Sequence, residues 1–542
     1  MAVDMGVGRV GPKAEGKPGR LWRGVLLALL LAAAAVGGLY LLCRPVKTLL
    51  NYYDEGLVLV NAMNILHGAI PYRDFWSLYS PGYYYLLAGV MKVFGETVMV
   101  ARIFDVVQRA LLALAVYGVA RRSISTVWAL LPAGLAALWL SSIGFFSYPV
   151  FPAVLAALVA CLCLFRFFDN RRAYWLFLSG VAVGLAATLR HDLGVFAGLG
   201  VALGLLTQAW AERKPFPLRP LLLLVAGAAI VALPLYLYLA LAGDVRAMWQ
   251  DLIVFPATGF RAYRDLPKPP LVPNFRRLPA EALEEWLRFY VPLLIFAVAL
   301  ITALVSGLRH RLGRTARPAA DDGALIALTV TGLLAFNQAL GRYEALHVLP
   351  SQLFALLALV ALLARLPRTV RAGLAALLVI LLFPTYVLHY VLAYQQTAHN
   401  DPRHTYSMLA RSGGVPVQPG EEAAVTYIQQ HTKPGDPIFV GNTHHDRIVV
   451  NDMGFYFLAD RRSPAIYQEL HPGVATTLPV QQEIVARLQQ ANVQYIVEVT
   501  VWEPREPNLS AVSSGVTYLD DWIRQHYTPC FEAGSYRVLR RS

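Results

Sequence analysis

The sequence is poor in charge: Asp, Glu, Lys and Arg make up 15% of 542 residues, while 57% are hydrophobic. That balance excludes an ordinary soluble domain, in which about a quarter of residues are charged, and makes the bilayer the expected solvent. Cysteine is scarce too, limited to Cys43, Cys161, Cys163 and Cys530. Cys161 and Cys163 fall in an apolar run and read as small hydrophobes, so there is neither a disulfide framework nor a zinc signature. Aromatic-basic patches are missing as well. The net charge of +13 therefore does not argue for nucleic acid, because the basic residues sit in short loops between apolar runs.

What the chain has in abundance is apolar runs of membrane-crossing length. Gly24–Cys43 is the first, and further spans are expected near Ala110–Ala120, Val127–Leu140, Pro149–Phe165, Trp175–Leu189, Leu193–Trp210 and Leu221–Leu241. The last four fall near Tyr290–Leu308, Ala324–Leu340, Val348–Leu363 and Ala372–Leu392. The expected fold is thus a polytopic α-helical membrane protein of about eleven transmembrane helices with a small C-terminal α/β extracytoplasmic domain. Arg121 and Arg122, Arg171 and Arg172, Arg213 and Lys214, and Arg309 to Arg317 occupy alternate loops. By the positive-inside bias those loops are cytoplasmic, which puts the C-terminal domain outside.

Three divisions follow: a disordered basic cytoplasmic tail over 1–23, a membrane body over 24–396 and an extracytoplasmic α/β domain over 397–542. Long outer loops are expected at 44–109 and 243–289, and loops of such length are usually functional. The first should hold two helices along the membrane surface, Asp54–Leu66 with Gly68 as its stop, and Gly82–Phe94 with Ser80 as cap, Pro81 in its first turn and Gly95 behind it. Tyr83, Tyr84 and Tyr85 would sit at the bilayer interface. The second loop carries Pro256, Pro267, Pro269, Pro270 and Pro273, too many for one helix.

Asp54 and Glu55 are paired carboxylates suited to taking a proton from an acceptor hydroxyl; equally, Asp54 caps its helix and Glu55 complements the dipole. Arg190, His191 and Asp192 interrupt apolar sequence, where ionisable groups are functional by default, although an Arg190–Asp192 turn satisfying itself is the plain alternative. In Gly341–His347, Arg342 suits a phosphate through its forked donors, Glu344 would position it and His347 stands close by. Tyr83, His191 and Asp192 join Glu344 as positioning candidates. Arg102, Asp105 and Arg109 read as a structural ion-paired stripe. Thr443, His444, His445 and Asp446 look like a metal cluster, but adjacent histidines on a strand point apart, so a ligand set is not expected there.

The segment YYDEGLVLVNAMNILHGAIPYRDFWSLYSPGYYYLLAGVMKVFG, residues 52–95, resembles the first loop of bacterial GT-C glycosyltransferases of the protein O-mannosyltransferase and aminoarabinose transferase group (glycosyltransferase family 39-like). The acidic pair, Gly68–Tyr72 and Pro81–Gly82 carry the likeness; Ser80 departs from it, standing where relatives place a lysine. The resemblance implies a membrane transferase of hexosyl or pentosyl groups that takes its sugar from a polyprenyl-phosphate carrier and acts with inversion. Asp54 would be its general base, Glu55 a second catalytic carboxylate, and Arg342, His347 and Arg190 the donor-phosphate contacts. Its partners would be the lipid-linked sugar, a lipid, glycan or protein acceptor and membrane lipids, with no nucleic acid. No cofactor is implied with certainty; a divalent cation at Asp54 and Glu55 suits carboxylate chemistry, but no ligand set is complete. A transporter or flippase of lipid-linked sugars and a non-catalytic membrane scaffold remain the alternatives.

Overall fold

The computed structural model describes residues 18–273, 279–315, 317–398, 406–500 and 505–542. The expected basic tail thus lies outside the described residues as far as position 17. Among the described residues eight helices are long and apolar enough to cross a membrane: Gly24–Lys47, Val98–Ala120, Val150–Asn170, His191–Ala211, Leu218–Ala242, Ala280–Arg311, Ala319–Gly341 and Ala345–Ala364. The protein is a polytopic membrane protein.

Three of the expected spans are not among the eight. The run 127–140 forms only the 12-residue helix Leu130–Ser141, and 175–189 the 16-residue helix Tyr174–Leu189. The first stops short because Arg109 draws the carbonyls of Leu140, Ile143 and Phe145 onto its guanidinium, turning the chain out of the helix after Ser141. The run 372–392 is divided by a π-helical turn at Pro384–Leu388 between Arg368–Phe383 and His389–Ala398. Pro384 has no N–H to give the helical ladder. The first long loop is also shorter than expected, since the second spanning helix starts at Val98 rather than near Ala110.

Packing inside the bundle depends on small residues. A Cβ at Gly180 would lie 2.1 Å from Leu224 O and one at Gly184 2.4 Å from Ala228 O, so these helices touch backbone to backbone. The first helix does the opposite: Leu26 and Leu29 are 62% and 61% exposed, a surface that only lipid can cover.

Both helices expected in the first loop form, as Asp54–Leu66 and Gly82–Phe94, and the chain turns at Gly68 and Gly95 with φ of +86° and +102°. Two of the three tyrosines are not at an interface, however: Tyr83 and Tyr84 are fully buried, while Tyr85 is partly exposed. Glu55 and Arg102, neither of them solvent-exposed, form a two-point ion pair at 2.7 and 2.8 Å, and Arg102 also donates to the carbonyls of Val46, Thr48 and Leu49.

The C-terminal region carries a four-stranded sheet of β1 Phe439–Asn442, β2 Tyr495–Val499, β3 Tyr527–Ala533 and β4 Tyr536–Arg541, in the order β1-β2-β4-β3. β1 and β2 run parallel in the register Val440 with Val497; the other pairs are antiparallel. Helices Pro419–His431 and Leu478–Gln490 accompany it. This region packs directly on the Asp54 helix: Tyr52 O accepts from the N–H groups of Met453 and Gly454, and Gln468 bonds Asn61. A Cβ at Gly56 would lie 2.3 Å from Gly454 N.

Removing one partner of the buried ion pair leaves an uncompensated charge. Glu55→Ala should therefore destabilise the protein by about 3–5 kcal/mol, read as a fall in thermal midpoint of the detergent-solubilised chain, with Glu422→Ala at a partly exposed position as the near-neutral control.

Candidate active site

Asp54 opens its helix without capping it. The Asn51 side-chain oxygen accepts from the N–H groups of Tyr53 and Asp54 at 3.1 and 2.7 Å and so does the capping work. The Asp54 carboxylate accepts no hydrogen bond from the described residues and sits within electrostatic reach of Arg264, His347, Glu344 and Arg342. Burial raises its carboxyl above the usual range, Arg264, His347 and Arg342 pull it back, and Glu344 adds to the rise. The acidic residue of the first loop and the 341–347 cluster thus meet although they are almost three hundred residues apart in sequence.

Beside Asp54 lies a cavity of about 490 Å³. Arg190, His191, Asp192, Arg342 and His347 line it, together with Tyr79 and Tyr148, both of which feel the Asp54 charge. Arg190 forks onto Asp192 at 3.0 and 2.7 Å and lies over the Tyr79 ring at 5.1 Å from its centroid. The self-satisfied turn and the cavity wall are therefore the same structure. His191 Nδ1 stands 3.0 Å from Ser80 Oγ, which also accepts from the His191 N–H and the Tyr236 hydroxyl. Ser80, expected as a helix cap, instead fixes a histidine at the cavity.

Two sequence candidates point elsewhere. Glu55, expected to share proton chemistry with Asp54, is turned into the protein by Arg102, because neighbouring residues on a helix point about 100° apart. A cation shared by the two carboxylates would thus find no ligand in Glu55, and among the described residues no three His, Cys, Asp or Glu side chains gather as a metal set. Tyr83 stacks on Phe104 with ring centroids 6.4 Å apart, in the packing between two helices rather than at the cavity. His445, from the cluster at 443–446, is buried and paired with Asp520 at 2.6 Å.

Arg342 is not free. Its guanidinium forks onto Glu506 at 2.9 and 2.7 Å and meets Glu344 at 2.7 Å. Burial opposes ionisation of Glu344, but His347 and Arg342 hold its carboxyl down at about 2.

Sequence reading missed Arg264, Glu469 and Glu506. Arg264 ends a short helix of the proline-rich loop, is 9% exposed and is the charge that acts most on Asp54. Only its place among prolines and aromatics marked it, and that pattern names no partner. Glu469 accepts from the Tyr53 hydroxyl at 2.9 Å through one oxygen, while its other oxygen is buried without a partner. Burial pushes its carboxyl up to about 7, and the nearby Asp251 likewise.

Comparison with known proteins comes after this geometry. A family model described as dolichyl-phosphate-mannose-protein mannosyltransferase matches residues 79–238, a stretch that begins beyond Asp54. Among solved structures, ArnT from Cupriavidus metallidurans bound to undecaprenyl phosphate aligns over 95% of this chain and 97% of its own, at 15% identity and a TM-score of 0.53. The chain has the GT-C fold. The Archaeoglobus fulgidus oligosaccharyltransferase, in complex with Zn and sulfate, aligns over 86% of this chain and 68% of its own at 13% identity and a TM-score of 0.48. No curated protein sequence matches. In this GT-C chain the C-terminal region supplies Glu469 and Glu506 to the surroundings of Asp54.

Glu469 and Asp251 hold protons in the folded protein up to about pH 7, whereas in the unfolded chain they ionise at ordinary carboxylate values. The folded state then binds more protons between those limits, and stability should fall as pH rises from about 5 to 7.5. Thermal midpoints across that range test this: Glu469→Gln should flatten the slope, and an unchanged slope would remove Glu469 as its source.

Proposed function

We propose that the protein is a membrane glycosyltransferase that moves a sugar from a polyprenyl-phosphate carrier to an acceptor hydroxyl, with inversion and with Asp54 as general base. The observation that carries the reading is the meeting of a half-buried carboxylate, which accepts no hydrogen bond from the described residues, with Arg264, Arg342 and His347 beside a cavity at one end of the helices. The GT-C fold and the mannosyltransferase family match over 79–238 support it. The arginine-rich loops at the other end support an orientation with Asp54 and the C-terminal region outside.

In this mechanism the carrier's phosphate rests near Arg342 and Arg264, with its sugar toward Asp54. Asp54 takes the proton of the acceptor hydroxyl as that oxygen attacks the anomeric carbon from the face opposite the phosphate. The carbon–oxygen bond to phosphate breaks, and the electron pair leaves with the carrier phosphate, whose added charge the arginines stabilise. Arg190, already neutralised by Asp192, keeps the cavity wall in shape and orients Tyr79. Either a hexose or a pentose fits this scheme, as does a lipid, glycan or protein acceptor.

Asp54→Asn should lower transfer of radiolabelled sugar from polyprenyl phosphate by about 10² to 10⁴-fold with folding and membrane insertion intact. Unchanged transfer in the variant would remove Asp54 as base, and no transfer by the wild type with any such donor would favour a transporter or scaffold. Because the Asp54 carboxyl is raised, the acid limb of the wild-type activity profile should lie above the ordinary carboxylate range.

Glu506 competes with phosphate for the same guanidinium. Glu506→Gln should therefore tighten binding of polyprenyl phosphate by about tenfold, measured by titration of the purified protein; equal or weaker binding would make the Arg342–Glu506 fork purely structural.

A further inference from the structure

A second cavity, of about 180 Å³, opens at the opposite end of the bundle, between the last turns of Val98–Ala120 and Ala345–Ala364 and the start of Ala319–Gly341. The helix Val98–Ala120 alone separates it from Arg102 by about 27 Å, so it is no part of the Asp54 site. Leu325, Leu328 and Leu357, all buried, form its inner wall, while Arg122, Arg317, Arg365 and Asp321 surround the mouth.

The three guanidiniums are not equally engaged. Arg365 is held by the fully buried Asp322 at 2.8 Å and donates to Asp321 O at 2.9 Å. Arg122 bonds Asp169 at 2.8 Å and reaches Asp321 at 3.4 Å, carboxylates that are 53% and 44% exposed. Such exposed pairs are worth little. The Arg122 guanidinium is steadied from the other side by the Phe165 ring, 5.1 Å away. Arg317 makes no side-chain hydrogen bond or ion pair among the described residues and acts on Asp322 only at longer range. Ser123 adds a hydroxyl to the lining.

We propose that this cavity is a binding site for the phosphate of an anionic phospholipid. A guanidinium without a partner among the described residues and a weakly paired one, both lining the mouth of an apolar recess, match a phosphate diester followed by glycerol and the first methylenes of a lipid chain. The recess lies at the end of the bundle where Arg171, Arg213 and Arg311 also gather, the polarity expected of a face turned to an anionic leaflet. Among the described residues, Asp321 is the one carboxylate lining the mouth that opposes the anion, and the phosphate would take its place on Arg122. A free phosphate ion offers the same oxygens but nothing for the apolar wall, so the lipid is the committed source.

The test is native mass spectrometry of the full chain in detergent, titrated with phosphatidylglycerol, with phosphatidylcholine and, in competition, with inorganic phosphate. The wild type should retain phosphatidylglycerol in preference to phosphatidylcholine. Arg317→Gln should weaken that binding about fivefold, Arg317→Lys should retain most of it, and Arg314→Gln, outside the cavity, should leave it unchanged. Circular dichroism and gel-filtration elution check that each variant is folded. No preference in the wild type, or equal binding by Arg317→Gln, would overturn the site. Competition by inorganic phosphate at concentrations matching the lipid's would overturn the lipid as its source.

Discussion

Glu55 and Arg102 meet where three stretches of chain would otherwise be free to move independently: the end of the first membrane helix, the start of the Asp54 helix and the first turns of the next span. Arg102 binds the carboxylate at two points and three backbone carbonyls besides. A buried ion pair contributes modestly to stability against an apolar replacement, but it is intolerant of misplacement, since each charge loses water and must find its partner. What it fixes here is rotation. With Glu55 locked inward, the preceding residue must point elsewhere, and Asp54 comes within electrostatic reach of Arg264, Arg342 and His347 instead of Arg102.

The C-terminal region completes that arrangement from the other side. The backbone of Gly454 lies so close to Gly56 that the two helices could not come as near with a larger residue at position 56. Tyr53 donates to Glu469, and the Trp76 backbone N–H donates to Ile466 O. The proline-rich loop joins through Arg264, which donates to Val449 O, and through Asp265 O, which accepts from Asn508. The first loop, the second loop and the 341–347 turn therefore share one anchor. A change in that anchor's position would move Arg264 and Arg342 together relative to Asp54, so in the proposed mechanism the C-terminal region helps to position the site.

Much of this was legible in the sequence because it rests on local signals. The apolar runs marked the membrane body, and Gly68 and Gly95 marked the ends of two helices whose limits the structure repeats. The strands at Phe439–Asn442 and Tyr495–Val499 follow from short apolar runs. β3 did not, because as an edge strand it carries Pro529 at a register shift and Glu532 facing solvent. Apolar composition alone does not reveal that Arg109 ends the helix at Leu130–Ser141 early, so among the described residues that run is shorter than expected. Glu55 and Asp54 were indistinguishable side by side, since only the distant Arg102 decides which of them faces inward. Arg264, Glu469 and Glu506 owe their positions to contacts across hundreds of residues, and no local pattern carries such information.

The charges around Asp54 fit a site that stays balanced until a substrate arrives. Arg190 is matched by Asp192, and Arg342 by Glu506 and Glu344. Glu469 and Asp251 are held neutral up to about pH 7 by burial, which spares the site two more negative charges. Arg264 is the exception: among the described residues its guanidinium bonds only a carbonyl, that of Val449, and it acts on Asp54 from within the same region. In a low-dielectric setting such a cation attracts an anion strongly. In the proposed mechanism a carrier phosphate would bring the charge that Arg264 lacks, and by loosening Glu506 from Arg342 it would recruit a second guanidinium as the leaving group's charge grows. In the proposed mechanism the same carboxylates that keep the site from repelling its own cations would thus set how much binding energy becomes available only once phosphate is present.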